Sequence, residues 1–125
     1  MVDIIEASKR KIEKLFDDKY ENIIISLTTI VDDRLIDNNV TNSECEITGL
    51  DIVGSRRFGN PRPNSDLDII LTYTGSIKED SLFNILNDPK SYIYSATFRK
   101  ITLDFNPIKN GDINYEVEKR STYKK

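Results

Sequence analysis

Asp66 and Asp68 are the residues of this 125-residue chain whose type and spacing best suit the binding of a metal ion. They lie at the start of an apolar run, residues 67–73, whose composition predicts a β-strand. Side chains alternate between the two faces of a strand, so residues two positions apart point the same way and can share one cation. Magnesium binds to a few carboxylates together with phosphate oxygens and water. The pair therefore predicts a site for nucleotide-bound Mg²⁺, with Mn²⁺ as a substitute.

A set of small residues upstream of the two aspartates has the types that hold phosphate groups. Gly54 and Ser55 follow a predicted strand at residues 46–53. Glycine lets the backbone turn sharply against a ligand, and a serine at a helix start offers its hydroxyl beside free backbone amides. Gly59 permits close contact as the chain leaves the turn, and Ser65 either contacts phosphate or caps its own loop. We expect this cradle to bind the β- and γ-phosphates of a nucleotide.

Three arginines surround the cradle and add positive charge to it. Arg56 and Arg57 follow Ser55 directly, and Arg62 lies in the next loop. A guanidinium group can bind two phosphate oxygens at once. We expect at least one of the three to contact phosphate, and the sequence leaves open which one.

The cradle and the aspartates together resemble the nucleotidyltransferase superfamily of DNA polymerase beta, whose motif is a strand, Gly-Ser, a second glycine, a short loop and Ser-Asp-x-Asp before another strand. The matching residues are Gly54, Ser55, Gly59, Ser65, Asp66 and Asp68. The resemblance covers roughly residues 44–108. It implies a third carboxylate on a later strand, where Asp104 is the candidate, as a ligand of a second metal ion or as a base. Phe58 departs from the family, because minimal members often have arginine before the second glycine.

The resemblance also implies a fold and a reaction. The fold is α/β of the α+β type, with a small mixed sheet, helices mainly on one face, and here two helices in front. The reaction is Mg²⁺-dependent transfer of a nucleotidyl group, with AMP from ATP as the expected case, to an acceptor hydroxyl. Some minimal members are antitoxins that nucleotidylate a HEPN-type RNase toxin, and others occur on phages and mobile elements, so a protein acceptor is expected. Two alternatives stay open: a non-catalytic module that binds a nucleotide or a partner, and transfer to a small molecule such as an aminoglycoside.

Composition excludes several other kinds of chemistry. The chain has no histidine, which removes serine–histidine and cysteine–histidine catalysis and histidine zinc sites. Its one cysteine, Cys45, permits no internal disulfide and is expected to be buried. A net charge of −3 and a pI near 5.0 make extended nucleic-acid binding unexpected. Without a long apolar run or a signal-like start, the chain is expected to be cytoplasmic and not to contact a membrane.

Hydrophobic periodicity predicts one domain spanning residues 1–125. Residues 3–17 and 20–37 have helical spacing and form a helical prefix within residues 1–42. The catalytic core covers residues 44–108, with a helix from about residue 79 and strand-like stretches at 92–94 and 98–105, the second ended by Pro107. Residues 109–125 are mostly polar, and we expect a tail there that is frayed or docks on a partner.

Overall fold

The computed structural model describes residues 3–87 and 97–121, which form a mixed α/β fold. Its helices and strands, in chain order within each class, are α1 (Ile4–Phe16), α2 (Tyr20–Asp37), α3 (Ser55–Phe58), α4 (Glu79–Asn87) and α5 (Ile113–Ser121), and β1 (Glu46–Val53), β2 (Leu67–Thr74), β3 (Thr97–Phe98) and β4 (Ile101–Lys109). No helix in these ranges is long and apolar enough to cross a bilayer. The strand predicted at residues 92–94 lies outside the described residues.

The two helices predicted in the prefix are confirmed. Asp3 begins α1 as an N-cap, because its Oδ1 accepts hydrogen bonds from the backbone amides of Ile5 and Glu6. Helix α2 buries one residue per turn against the sheet. Those residues are Ile23, Leu27, Val31 and Leu35. The three consecutive isoleucines at 23–25 therefore belong to a helix, although their β-branched side chains also suit a strand.

The four strands of the described residues form a sheet in the order β1-β2-β4-β3. Strand β2 pairs antiparallel with β1 and parallel with β4, while β3 pairs antiparallel with β4. A register shift between Ile47 and Gly49 marks a β-bulge in β1. Strand β2 is central and buried on both faces. Its odd-numbered residues belong to the main hydrophobic core, together with buried residues of α1, α2 and α4, and Ile70 packs with Val53 and Val117 in a second cluster. Cys45 is buried in the main core, as expected.

The strand predicted at residues 98–105 differs from the observed strands in two ways. Arg99 and Lys100 adopt positive φ values of 50° and 73°, so they form a tight turn between β3 and β4. Pro107 does not end β4, which continues to Lys109. Proline is tolerated there because β3 pairs only with the first two residues of β4, and the edge of the strand beside Pro107 has no β3 partner.

Helix α5 was not predicted and lies where the sequence suggested a polar tail. Val117 is buried against Val53 and Ile70, and Ile113 packs at the same cluster. Asp112 Oδ1 accepts from the amides of Asn114 and Tyr115, at 3.0 and 3.4 Å, and so caps the first turn. Because even-numbered residues of β2 face α5 and odd-numbered ones face α2 and α4, α5 covers the opposite face of the sheet. Because α1, α2 and α4 pack on the main core, the longer helices lie mainly on one face as expected, and α5 is an exception.

Candidate active site

The strand register brings two of the three predicted carboxylates together. Asp68 of β2 lies opposite Asp104 of the parallel strand β4 and opposite Val53 of β1. Residues paired across strands share a face of the sheet, so both carboxylates point to the face that carries α5. Both side chains are half-buried. The pairing of β2 with β4 thus converts two positions 36 residues apart in the chain into neighbours.

The two carboxylates are electrostatically coupled. The pKa of Asp68 is raised from 3.8 to about 6, mainly by burial and also by the charge of Asp104, a hydrogen bond with Asp104 and the charge of Asp66. Two like charges in a partly desolvated position destabilise the ionised form. A bound divalent cation would remove this repulsion. The arrangement therefore fits a cation between Asp68 and Asp104, which carboxylate oxygens suit as hard ligands.

Asp66 occupies a different environment from the other two aspartates. It is exposed, and it lies before β2 rather than within the strand. Across residues 3–87 and 97–121, no three histidine, cysteine or acidic side chains are clustered as a metal site. The structure thus pairs Asp68 with Asp104 and leaves Asp66 as an exposed neighbour whose charge reaches Asp68.

Gly54 lies directly against the Asp68 carboxylate. Its backbone has φ 80° and ψ −169°, a region that essentially only glycine occupies. A Cβ at this position would lie 2.8 Å from Asp68 Cγ and closer still to Asp68 Oδ2. Glycine is therefore required both by the backbone conformation and by the closeness of the carboxylate. This contact brings the turn next to the pair formed by Asp68 and Asp104.

The turn after Gly54 is one short helical turn, α3. The amides of Arg57 and Phe58 both donate to the carbonyl of Gly54, at 3.1 and 2.8 Å, and Gly59 donates to Ser55 at 2.9 Å. Among the described residues, the Ser55 hydroxyl makes no hydrogen bond, and the residue is half-buried. Gly54, Ser55 and Gly59 thus lie together as the sequence suggested, with a hydroxyl that can donate to a ligand oxygen.

These residues line a cleft of about 1000 Å³ on the α5 face. Its wall combines the turn, one carboxylate, and side chains from β4 and α5. The lining residues are Val53, Gly54, Ser55, Phe58, Gly59, Asn60, Asp68, Ile70, Asn106, Lys119 and Arg120. The last three were not predicted as site residues, and two of them, Lys119 and Arg120, lie in the segment that was expected to be a polar tail. The Asp112 cap and the apolar residues one helical turn apart at 113 and 117 were the available signals.

Arg57 was a candidate phosphate ligand, and the structure corrects this. Its side chain is fully buried, with Nε donating to Ser8 Oγ at 2.8 Å and Nη2 to the Ile5 carbonyl at 2.9 Å. Nη1 donates to the hydroxyl of Tyr20 and to Asp51 Oδ1, at 2.9 and 3.1 Å. The guanidinium group therefore joins the helical prefix to β1. Buried among these acceptors, it is not available to a ligand in the cleft.

Arg56 and Ser65 also have structural partners in place of the predicted phosphate contacts. Arg56 is nine-tenths buried, and its Nε and Nη2 donate to the carbonyls of Ser65 and Pro63 at 2.9 and 3.2 Å. Ser65 closes the loop, because its hydroxyl accepts from the Arg62 amide at 2.8 Å and its own amide donates to the Arg62 carbonyl at 3.0 Å. Of the two roles considered for Ser65, the loop cap is the one observed. Arg56 and Ser65 together fix the loop that leads to Asp66.

Comparison with known proteins adds no relative. The chain matches no protein-family model, and no curated protein or solved structure is significantly similar to it. The interpretation of the site therefore depends on its motif and its geometry.

Proposed function

We propose that this protein is a Mg²⁺-dependent nucleotidyltransferase with the fold of the DNA polymerase beta superfamily. The observation that carries the proposal is the contact of Gly54 with Asp68 at the point where Asp68 is paired with Asp104. A glycine turn suited to phosphate and Asp68, one member of a carboxylate pair suited to a cation, then line one cleft. Both parts are needed for nucleotidyl transfer, and either part alone is common in proteins of other function.

The proposed reaction divides into binding and displacement. Gly54, Ser55 and Gly59 hold the phosphates of an NTP, with ATP as the expected nucleotide. The acceptor hydroxyl oxygen forms a bond to the α-phosphorus, the bond from that phosphorus to the bridging oxygen breaks, and pyrophosphate leaves. Asp68 and Asp104 would hold the cation, and Asp104 is the proposed acceptor of the proton from the hydroxyl. Mg²⁺, when bound, supplies neutralisation of charge on the attacking and leaving oxygens.

The proposed acceptor is a hydroxyl on a partner protein. This choice comes from the resemblance to minimal members that nucleotidylate a toxin, and the toxin–antitoxin setting belongs to the same proposal. Transfer to a small molecule is the competing acceptor class.

A non-catalytic nucleotide-binding module is the second candidate function. The observation in its favour is the exposure of Asp66, which lies apart from the paired Asp68 and Asp104. A site that holds one cation with two carboxylates can bind a nucleotide without completing the two-ion arrangement of this chemistry.

Label transfer tests the proposal. The purified protein is incubated with Mg²⁺ and each α-³²P-labelled NTP, with cell extract as the source of acceptors. Asp68→Asn removes one ligand charge, and Asp33→Asn, an exposed change on α2, is the matched control. Label on a protein band with the wild type and the control, but not with Asp68→Asn, supports nucleotidyl transfer to protein. Mg²⁺-dependent nucleotide binding without label on any protein or small molecule would support the binding module instead.

A further inference from the structure

A nucleotide in the cleft needs positive charge that the motif does not provide. An NTP carries several negative charges, and the cradle itself contributes backbone amides and a hydroxyl. The two arginines next to Ser55 are buried among protein acceptors. Arg62, the third candidate arginine, is exposed and does not line the cleft, so the basic side chains that line it come from another element.

Helix α5 places two cations at the same cleft. Among the described lining residues, Lys119 and Arg120 are the basic ones. Val117 anchors the helix on Val53 and Ile70, and Arg120 lies one turn further along the same helical face. The packing that buries Val117 thus directs the last turn of α5 to the cradle.

Glu116 holds both cations in place from within α5. It is 8% exposed, and its carboxylate contacts Arg120 Nη1 at 2.5 Å and Lys119 Nζ at 3.5 Å. The hydrogen bond from Arg120 is the main reason that the pKa of Glu116 lies below its usual value. Glu116 thus contributes one negative charge beside these two cations. A side chain held by a buried partner also loses less rotational freedom when it binds a ligand.

Arg120 keeps donors for a ligand while it contacts Glu116. Its Nη1 donates to both the carbonyl and the carboxylate of Glu116, at 3.1 and 2.5 Å. Within residues 3–87 and 97–121, Nε and Nη2 of Arg120 donate to no protein acceptor. These two nitrogens lie on one edge of the planar group, the geometry that binds two phosphate oxygens together.

We propose that Lys119 and Arg120 bind the phosphate chain of the nucleotide, in the role that the sequence suggested for Arg56 and Arg57. The inference rests on the proposed function, since the ligand is the NTP of that reaction. It makes α5 part of the nucleotide site, with Gly54 and Ser55 on one wall of the cleft and the two cations on the other. Selectivity for a triphosphate over a monophosphate then comes from α5.

Nucleotide binding tests the inference. The full chain with Mg²⁺ is titrated calorimetrically with ATP, AMP and inorganic tripolyphosphate, using Lys119→Ala and Arg120→Gln. Lys14→Ala is the matched control, because Lys14 is an exposed lysine near the end of α1 and outside the cleft. Each test variant is expected to weaken ATP and tripolyphosphate binding about tenfold or more, the effect of losing a charge-assisted hydrogen bond. AMP binding and the control should stay unchanged.

Separate outcomes distinguish this inference from the proposed function. ATP binding by the wild type that both variants retain in full would overturn the role of α5 and leave the proposed function standing. Failure of the wild type to bind ATP would overturn both. Thermal melting of each variant identifies a folding defect. If Arg120→Gln is unstable, Lys119→Glu gives the same test by charge reversal, because Arg120 still pairs with Glu116.

Discussion

Gly54 and Asp68 are in direct contact, and each restricts which residue the other position can hold. The glycine has φ 80°, and any Cβ on it would come within 3.0 Å of the Asp68 side chain. The backbone conformation at Gly54 and the position of the Asp68 carboxylate therefore depend on each other.

Gly54→Ala is expected to reduce both stability and nucleotide binding. The backbone conformation costs about 1–3 kcal/mol for a residue with a side chain, and the contact with Asp68 adds to it. Urea denaturation and titration with Mg²⁺-ATP measure the two effects. Gly59→Ala is the comparison, because Gly59 has φ −139° and a Cβ there would lie 3.3 Å from its nearest neighbour. Equal losses of stability in the two variants would contradict this account of Gly54.

The coupled carboxylates predict a pH dependence of stability in the metal-free protein. The native pKa of Asp68, about 6, exceeds the value of 3.8 expected when unfolded. Because the native state then binds the proton more tightly, this group makes the protein less stable as pH rises from about 4 to about 6. Asp68→Asn removes the effect. The free energy of unfolding of the Asp68→Asn variant, relative to that of the wild type, should therefore increase from about pH 4 to about pH 6 and then level off.

Denaturant unfolding in EDTA at several pH values measures this difference. Asp33→Asn, which changes an exposed aspartate, should show no such trend. Addition of Mg²⁺ with ATP should stabilise the wild type more at pH 7 than at pH 5, because protons and the cation compete for the same oxygens. A difference between Asp68→Asn and the wild type that does not depend on pH would argue against a raised pKa of Asp68 in the native state.

Arg57 is expected to be essential for folding rather than for phosphate binding. Replacing it with alanine leaves Asp51 and the hydroxyl of Tyr20 without their shared cationic partner. Breaking a buried ion pair of this kind costs about 3–5 kcal/mol. Arg62→Ala, an exposed change in the next loop, should stay within about 0.5 kcal/mol of the wild type. A folded Arg57→Ala variant with normal stability but lost ATP binding would restore the original phosphate-binding assignment.

Helix α5 is expected to behave as part of the core. Val117 is 3% exposed and packs on Val53 and Ile70, so Val117→Ala should reduce the free energy of unfolding by about 2 kcal/mol. Asn114→Ala, on the exposed side of the same helix, should have little effect. Hydrogen exchange gives an independent check. Amides of α5 that exchange as fast as free peptide would show that the helix is a tail after all.

The sequence by itself determined the elements whose signals are local. The hydrophobic periodicity of residues 4–37 was sufficient to predict two helices, and the strand at 46–53 has the predicted bounds. The spacing of Gly54, Ser55 and Asp68 predicted that these residues lie together, as they do, because a tight turn and a strand impose fixed distances along the chain.

Tertiary structure alone decided which charges face the cleft. Arg57 and Lys119 are both basic residues beside apolar ones, and nothing local shows that one is buried beneath α1 while the other lines the site. The outcome depends on packing: α1 and Tyr20 cover Arg57, and Val117 brings α5 across the sheet. The pairing of Asp68 with Asp104 depends in the same way on the parallel register of β2 and β4. Such contacts join residues far apart in the chain, and local patterns do not encode them.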